Sequence, residues 1–451
     1  MHYEFTMRYF CKLLVILTPA IFFCGVSAQR LDDPLATSKN TTFTVASLSP
    51  QAQKLYLERR VRIADARTQL LAEMIAKDVL DLESKELNST SQKLLAAQRA
   101  KAAQPTAAEI KKIYDANSAT LAGQTVEQVR DQIVDFLKHE SEEKLTDAYV
   151  QTLRAKYKVA SGKDVNALGL GPSEAVATVG GRAITLAEFD QANKVRLNDV
   201  EVEIFEVLRS SLEASILSAL AAEEAKERKL DTSAYIAAEI TDKLRLFTDD
   251  ERANVEDELR RRLFAKYSVK VTLPEPMRVV QNIAIESDDP QIGNAAAPVT
   301  VVMFTDFQCP ACAATHPVLK QTLAQYGDKV RLVVRDFPLE TIHKEAFQAA
   351  IAANAARAQG KFFEYAEILY RSQGALDKPS LTRYAAELGL NAKQFELDFS
   401  DARMGSEVRK DQADGRGLGV NSTPTIFVNG AKVHRLSAIA FRRAIERALS
   451  K

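Results

Sequence analysis

Val299-Thr300-Val301-Val302-Met303-Phe304-Thr305-Asp306-Phe307-Gln308-Cys309-Pro310-Ala311-Cys312 is the stretch on which the reading of this chain turns. Its first half is continuously apolar and rich in β-branched residues, as a strand buried on both faces requires. Beyond the cysteines, Ala313, His316, Leu319 and Leu323 fall at helical spacing. Cys309 is therefore expected at a helix N-terminus, with Cys312 one turn inside. The thiolate is the reactive form of cysteine, and unpaired N–H groups together with the helix dipole stabilise it there. In such motifs the thiol drops from ~8.5 into a range of about 3.5–7.5. Cys309 is expected as the exposed nucleophile and Cys312 as the thiol that resolves a mixed disulfide.

Moving outward, the other two cysteines, Cys11 and Cys24, lie in a segment that carries Arg8 and Lys12, an apolar run from Leu13 to Val26, and the small-residue site Val26-Ser27-Ala28. This is the make-up of a cleaved secretory signal over residues 1–28, with Met7 giving a more usual start. The apolar run falls short of the ~20 residues a spanning helix needs. Cleavage near Ala28 and a periplasmic or secreted location follow as expectations, leaving Cys309 and Cys312 as the cysteines of the mature chain. A pair kept in an oxidising compartment without others to form staples points to chemistry. A zinc half-site is the rival, but structural zinc takes four ligands and there is no second C-x-x-C. No metal and no cofactor beyond the redox-active pair is expected.

The 451 residues carry 60 Lys and Arg against 60 Asp and Glu, with 46% hydrophobic and 27% charged content. That is globular composition for two or three domains, with no basic footprint for nucleic acid or an anionic membrane. Residues 29–48 are polar and read as a flexible leader. From 49 to 172 the pattern is helical: Ile63, Ala66, Leu70, Leu71, Met74, Ile75, Val79 and Leu82 form one apolar stripe. Thr106 with Glu109 and Thr125 with Gln128 have capping-box spacing. A second helical module spans 173–272, opening with a Val176–Ile184 hairpin, a helix capped by Thr185 and Glu188, and a long helix from about 199 to 229. Apolar spacing from Arg67 to Thr90 echoes that from Arg209 to Ser233, and Leu153–Val159 echoes Leu263–Val269. Two copies of one helical module or a coincidence between Ala/Glu/Lys-rich helices both account for this. Leu273-Pro274-Glu275-Pro276 opens a linker over 273–282. The fold class is thus multidomain, a mostly α-helical N-terminal half followed by an α/β domain over 283–451.

The α/β part resembles the DsbA-like branch of the thioredoxin superfamily. The resemblance rests on Pro290–Asn294, Ala297–Thr300, Phe304–Cys312 and Asn421-Ser422-Thr423-Pro424-Thr425-Ile426-Phe427-Val428-Asn429-Gly430, which fall in that family's order and spacing. It implies a thioredoxin-like fold with a helical insertion, here His343 to about Leu390, and a protein thiol–disulfide oxidoreductase that forms or reshuffles disulfides in exported proteins. It further implies that Pro424 is cis, faces the cysteines and helps bind substrate backbone, with Thr423 beside it. Supporting positions are Pro310 and Ala311 between the cysteines, Asp306 and His316. The family often carries an acidic residue six before the first cysteine; here that position is Met303, and Asp306 lies nearer. His316 reads as a packed side chain more than a catalyst. Without a histidine between the cysteines, the expected potential lies between ~−270 mV and ~−120 mV.

The helical half resembles the SurA and PpiD periplasmic chaperones, through the Val176–Ile184 hairpin with its capped helix and through Pro105–Ile110 followed by Tyr114–Asn117. No segment resembles the parvulin domain such proteins often carry, so prolyl isomerisation is not expected. The partners this implies are unfolded or cysteine-containing exported proteins and a membrane redox partner. The alternatives are a dimeric isomerase or reductase, since long amphipathic stripes permit a homodimer, or a chaperone-type binding protein. The sequons at Asn40, Asn88 and Asn421 are assigned no function.

Overall fold

The computed structural model describes residues 29–118, 121 and 123–450; the signal segment, with Cys11 and Cys24, lies outside them. The helical half begins with β1 (Pro34–Thr37) and β2 (Thr42–Thr44), then α1 (Pro50–Glu86), α2 (Ser91–Arg99), α3 (Ala107–Asn117), α4 (Val126–Lys156) and β3 (Ala160–Ser161). A second set follows: β4 (Ala175–Val179), β5 (Arg182–Thr185), α5 (Leu186–Glu227), α6 (Thr232–Glu239), α7 (Asp249–Lys266) and β6 (Lys270–Val271). The capping boxes start their helices: Thr185 Oγ1 accepts from Glu188 N at 3.2 Å while Glu188 Oε2 accepts from Thr185 N at 2.8 Å. Thr106 and Glu109 do the same, and Gln128 accepts from Thr125 N. The helix capped at Thr185 and the long helix expected from 199 are one element of 42 residues, because neither glycine nor proline interrupts it.

The expected leader at 29–48 is a structured part of the core. Leu35, Ala36, Phe43, Val45 and Leu48 are buried, and β1 pairs with both β2 and β6. Polar residues dominate the segment by count, but the few apolar ones, Leu35, Ala36, Phe43, Val45 and Leu48, all join the core. The internal echo also acquires a physical basis. Glu83 accepts from Lys156 and Tyr157, and Glu224 accepts from Lys266 and Tyr267. Asn88 and Lys229 share a positive φ after their helices, as do Lys158 and Ser268. This register pairs Glu83 with Glu224 and the helix-capping Thr90 with Asp231, two residues away from the match of Thr90 with Ser233 that apolar spacing suggests. Each set lends its closing strand to the other: β3 pairs with β4, and β6 with β1.

The third region contains β7 (Gln291–Ile292), β8 (Val299–Thr305), α8 (Pro310–Ala324), β9 (Val330–Asp336), α9 (Ala346–Arg357), α10 (Phe362–Arg371), α11 (Lys378–Glu387), α12 (Ala392–Phe399), α13 (Ala402–Gly417), β10 (Thr425–Val428), β11 (Ala431–Val433) and α14 (Ala438–Leu449). The sheet order is β11-β10-β8-β9-β7, with β8 and β9 parallel in register from Val299–Val330 to Thr305–Asp336. Val299, Val301 and Met303 pack into the larger core, while Val302 and Phe304 face a smaller one on the other side. Burial on both faces explains why β8 reads as an unbroken apolar run. The alanine-rich α9 is buried nearly all round, with α10 to α13 packed about it.

The 273–282 segment forms neither helix nor named strand and is clamped on both sides. Val279 N donates to Asn198 on α5, and Gln281 N donates to Gly430 O at the β10–β11 turn. Gly430 has φ +76°, and a Cβ there would lie 2.1 Å from Gln281 O, so only glycine admits this approach. The two halves also meet through Arg443–Glu213 at 2.5 Å, Arg442–Asp257 at 3.3 Å and Lys432–Asp199 at 2.8 Å. A cavity of about 780 Å³ lies between them, lined by α5, α7, β11 and α14, away from the cysteines. Among the described residues no helix is long and apolar enough to cross a membrane.

Candidate active site

β8 delivers the chain to the site and α8 receives it. Cys309 is the residue preceding α8, Pro310 occupies its first position, where the missing N–H costs nothing, and Cys312 sits one turn inside. Cys309 is 7% exposed and Cys312 0%, so the nucleophile is less open than expected. The reason is the loop ahead of β10, whose Thr423 O accepts from Cys309 Sγ at 3.4 Å. The Thr423–Pro424 peptide is cis. The structure thus brings Thr423 and Pro424, more than a hundred residues along the chain, against the cysteines.

The two sulfurs are driven apart in acidity. Cys309 is lowered to about 5, chiefly by the hydrogen bond from Cys312, then by the Thr423 side chain and by the N–H groups of Cys312 and Ala311, against the cost of burial; the contact to Thr423 O belongs to the neutral thiol. Cys312 is pushed well up by burial and then by the charge on Cys309. The proton therefore resides on the inner sulfur and the charge on the outer one, the distribution a nucleophile with a resolving partner requires.

Asp306 acts on the loop. Its Oδ1 accepts from Gln308 N at 2.7 Å, and its Oδ2 accepts from Leu339 N and meets His343 Nδ1, both at 2.8 Å. The carboxylate ties the chain before Cys309 to the chain after β9, and its own N–H faces Cys312 Sγ at 3.5 Å. His316 is buried on α8 with its ring 4.8 Å from that of Tyr370, and burial lowers its basicity. Met303 is fully buried in the core.

Several residues at the site gave no local signal in the sequence. Gln373 Nε2 donates to Phe307 O and Cys309 O at 3.0 and 2.8 Å, fixing the loop before α8. Thr305 Oγ1 and Tyr370 OH share a hydrogen bond at 2.7 Å beside Cys312. Gln373 and Tyr370 come from the helical insertion, sixty residues on, where only packing brings them to the cysteines. Among the described residues no cluster of metal-ligating side chains occurs.

Residues 286–447 match the family described as Thioredoxin. The C-terminal domain has a thioredoxin-like fold. A Na(+)/H(+) antiporter NhaA 1 from Mycobacterium sp. (strain KMS) is 35% identical over 181 residues, 39% of this chain and 29% of that protein. The chain thus spans less than a third of the length of the curated relatives it matches. Among solved structures, a thioredoxin-like oxidoreductase from Silicibacter pomeroyi DSS-3 is 29% identical, covering 37% of this chain and 95% of its own, with TM-score 0.34. BdbD from Bacillus subtilis, oxidised, is 22% identical over 39% of this chain and 99% of its own, with TM-score 0.34.

Proposed function

We propose that this protein is an extracytoplasmic thiol–disulfide oxidoreductase that forms or reshuffles disulfides in exported proteins through Cys309 and Cys312. The observation that carries this reading is the division of labour between the sulfurs: an ionisable Cys309 at a helix start beside the Thr423–Pro424 segment, and a buried, protonated Cys312 one turn behind it. A client thiolate attacks Cys309 Sγ of the oxidised pair, the internal S–S bond breaks, and Cys312 leaves and is protonated. A second client thiolate then attacks the client sulfur of the mixed disulfide. Cys309 departs as a stabilised thiolate, and two electrons stay on the protein. A membrane redox partner takes them up. Extended client backbone lies along the Thr423–Pro424 segment. The test is oxidation of a fluorescent dithiol peptide by the oxidised full chain, with Cys309→Ser as control. Turnover lost in the variant is expected, and equal rates in both proteins would remove the reading.

The same proposal assigns client holding to the helical half. Its support is the adjacent pair Leu246 and Phe247, 77% and 69% exposed just ahead of α7. Leu246→Ser with Phe247→Ser is expected to weaken protection of an unfolded client against aggregation while peptide oxidation stays intact.

A further inference from the structure

The cavity between the two halves lies away from the cysteines and has no part in the exchange cycle. At about 780 Å³ it is of the size that holds a small organic molecule, and junctions between domains are where such sites concentrate. One wall is α5 and the facing wall is α14, and their alignment across the gap follows from the ion pairs. Glu213 on α5 meets Arg443 on α14. Arg209, one turn earlier on α5, and Arg447, one turn later on α14, both meet Glu275. The two helices therefore run antiparallel, with arginines gathered at one end of the space. Toward the other end, Leu217 of α5 and Ala440 and Ala444 of α14 line it with apolar surface. All three are only partly buried, and apolar atoms facing an open gap forgo the contacts a packed wall would make. Seven residues of helix separate Arg447 from Ala440, about 10 Å of rise.

The walls also carry a surplus of positive charge. Among the described residues, seven Lys and Arg line the cavity against four Asp and Glu. From outside the walls Asp199 meets Lys432 and Glu275 meets Arg447, but Arg261 and Arg442 draw in turn on Asp257, one of the lining acids. Sharing is densest at the arginine end. Glu275 lies 3.5 Å from Arg209 and 2.7 Å from Arg447, and Glu213 lies 2.9 Å from Arg209 and 2.5 Å from Arg443. Three guanidinium groups, each with five N–H donors, thus share two carboxylates. Burial and the charges of Arg278 and Arg209 hold Arg447 below its ordinary basicity in spite of Glu275. Arg209, Arg443 and Arg447 also line a second depression with Glu446 and Ser450, so the arginine end is the one that opens to the surface.

We propose that this cavity binds an amphipathic carboxylate, its apolar chain lying between α5 and α14 and its carboxylate among Arg209, Arg443 and Arg447. Glu213 and Glu275 already display the required geometry, since each presents its two oxygens to two different arginines. The same two acids, with Glu446, repel a dianion, so a single negative charge is favoured at this end. The chain removes from water the apolar faces of Leu217, Ala440 and Ala444 together with its own surface. An occupant that touches both α5 and α14 joins the helical half to the C-terminal domain and stabilises that arrangement by mass action. The assignment stands on the cavity alone and is independent of the thiol chemistry.

The test is calorimetric titration of the full chain with decanoate, below the concentration at which it forms micelles. One decanoate per chain is expected. Decanol keeps the chain and lacks the charge, and is expected to bind at least about 10-fold more weakly, the scale of one lost hydrogen bond to a charged group. Acetate keeps the charge and lacks the chain, and is expected to fall further still. Arg447→Gln, at a side chain 33% exposed, is expected to weaken decanoate about 10-fold and to leave decanol unchanged. Ala444→Leu fills the slot and is expected to remove both, with the circular dichroism spectrum of each variant as in the wild type. If Ala444→Leu does not fold, Arg447→Gln carries the test by itself. Absence of decanoate binding, equal affinities for decanoate and decanol, or decanoate affinity unchanged in Arg447→Gln overturns the assignment.

Discussion

The raised acidity of Cys309 fixes how the reduction potential must vary with pH. With the thiol at about 5, Cys309 is about 99% thiolate at pH 7, whereas an ordinary thiol at ~8.5 is about 3% ionised. The disulfide cannot ionise, so the difference favours the reduced protein, by up to about 2.7 kcal/mol over an ordinary thiol and about 2.3 kcal/mol over a thiol ionising near 7, as in thioredoxin. Cys309 keeps only 7% exposure, so solvent screens this little. At ~30 mV per 1.4 kcal/mol, the potential should lie up to about 50 mV above ~−270 mV, near ~−220 mV at pH 7. Lowering pH through 5 should double the slope. Above 5 only Cys312 takes up a proton on reduction, giving about 30 mV per pH unit, and below 5 both sulfurs do, giving about 59 mV. Glutathione titrations of the full chain between pH 4 and 8 read this directly. A slope of about 59 mV per unit running unbroken up to pH 8 would refute the thiolate argument at its root.

Three further outcomes follow from named contacts. Glu213→Ala strands Arg443 and Arg209 at the junction of the two halves, where the carboxylate is 8% exposed; a loss of about 1.5–3 kcal/mol is expected in urea unfolding, because two part-buried guanidinium groups lose a shared charged acceptor. Phe43→Ala should cost about 3–5 kcal/mol, a core value, although the segment reads as a leader; a loss below about 0.5 kcal/mol, as at ordinary surface sites, would contradict the packed β1–β2 hairpin. His316 is held below its ordinary basicity by burial. Its neutral form is favoured in the fold, so stability is present above the unfolded value of ~6.5 and falls as pH drops below it, by up to about 1.4 kcal/mol per pH unit. His316→Phe should flatten that acid limb in chemical denaturation at pH 4–7, and an unaltered limb would assign it elsewhere.

The helix starts were written locally and came out as read. A Thr with an acidic residue three positions on satisfies two backbone donors within a single turn at Thr106 and Thr185, and Gln128 satisfies one at Thr125. The unbroken apolar, β-branched run along β8 likewise needs no distant partner to be seen. What went unread is of a different kind. The hairpin at 34–44, and the two-residue strands β3 and β6, are too short for any period to register. The exchange of β3 and β6 between the two helical sets depends on how α1 and α5 cross, which no window of sequence contains.

At the site, the sequence by itself determined which atoms are chemically special: two thiols one helical turn apart at a helix start, and a Thr-Pro ahead of a strand. Those features depend on covalent neighbours, helix geometry and backbone dipoles, all local. Only the tertiary structure decided what surrounds them. Thr423 O over Cys309 and Tyr370 on Thr305 are placed by the parallel register of β8 and β9 and by the packing of the helical insertion. Burial and proximity set the acidity of each of these groups, and both are properties of the assembled core.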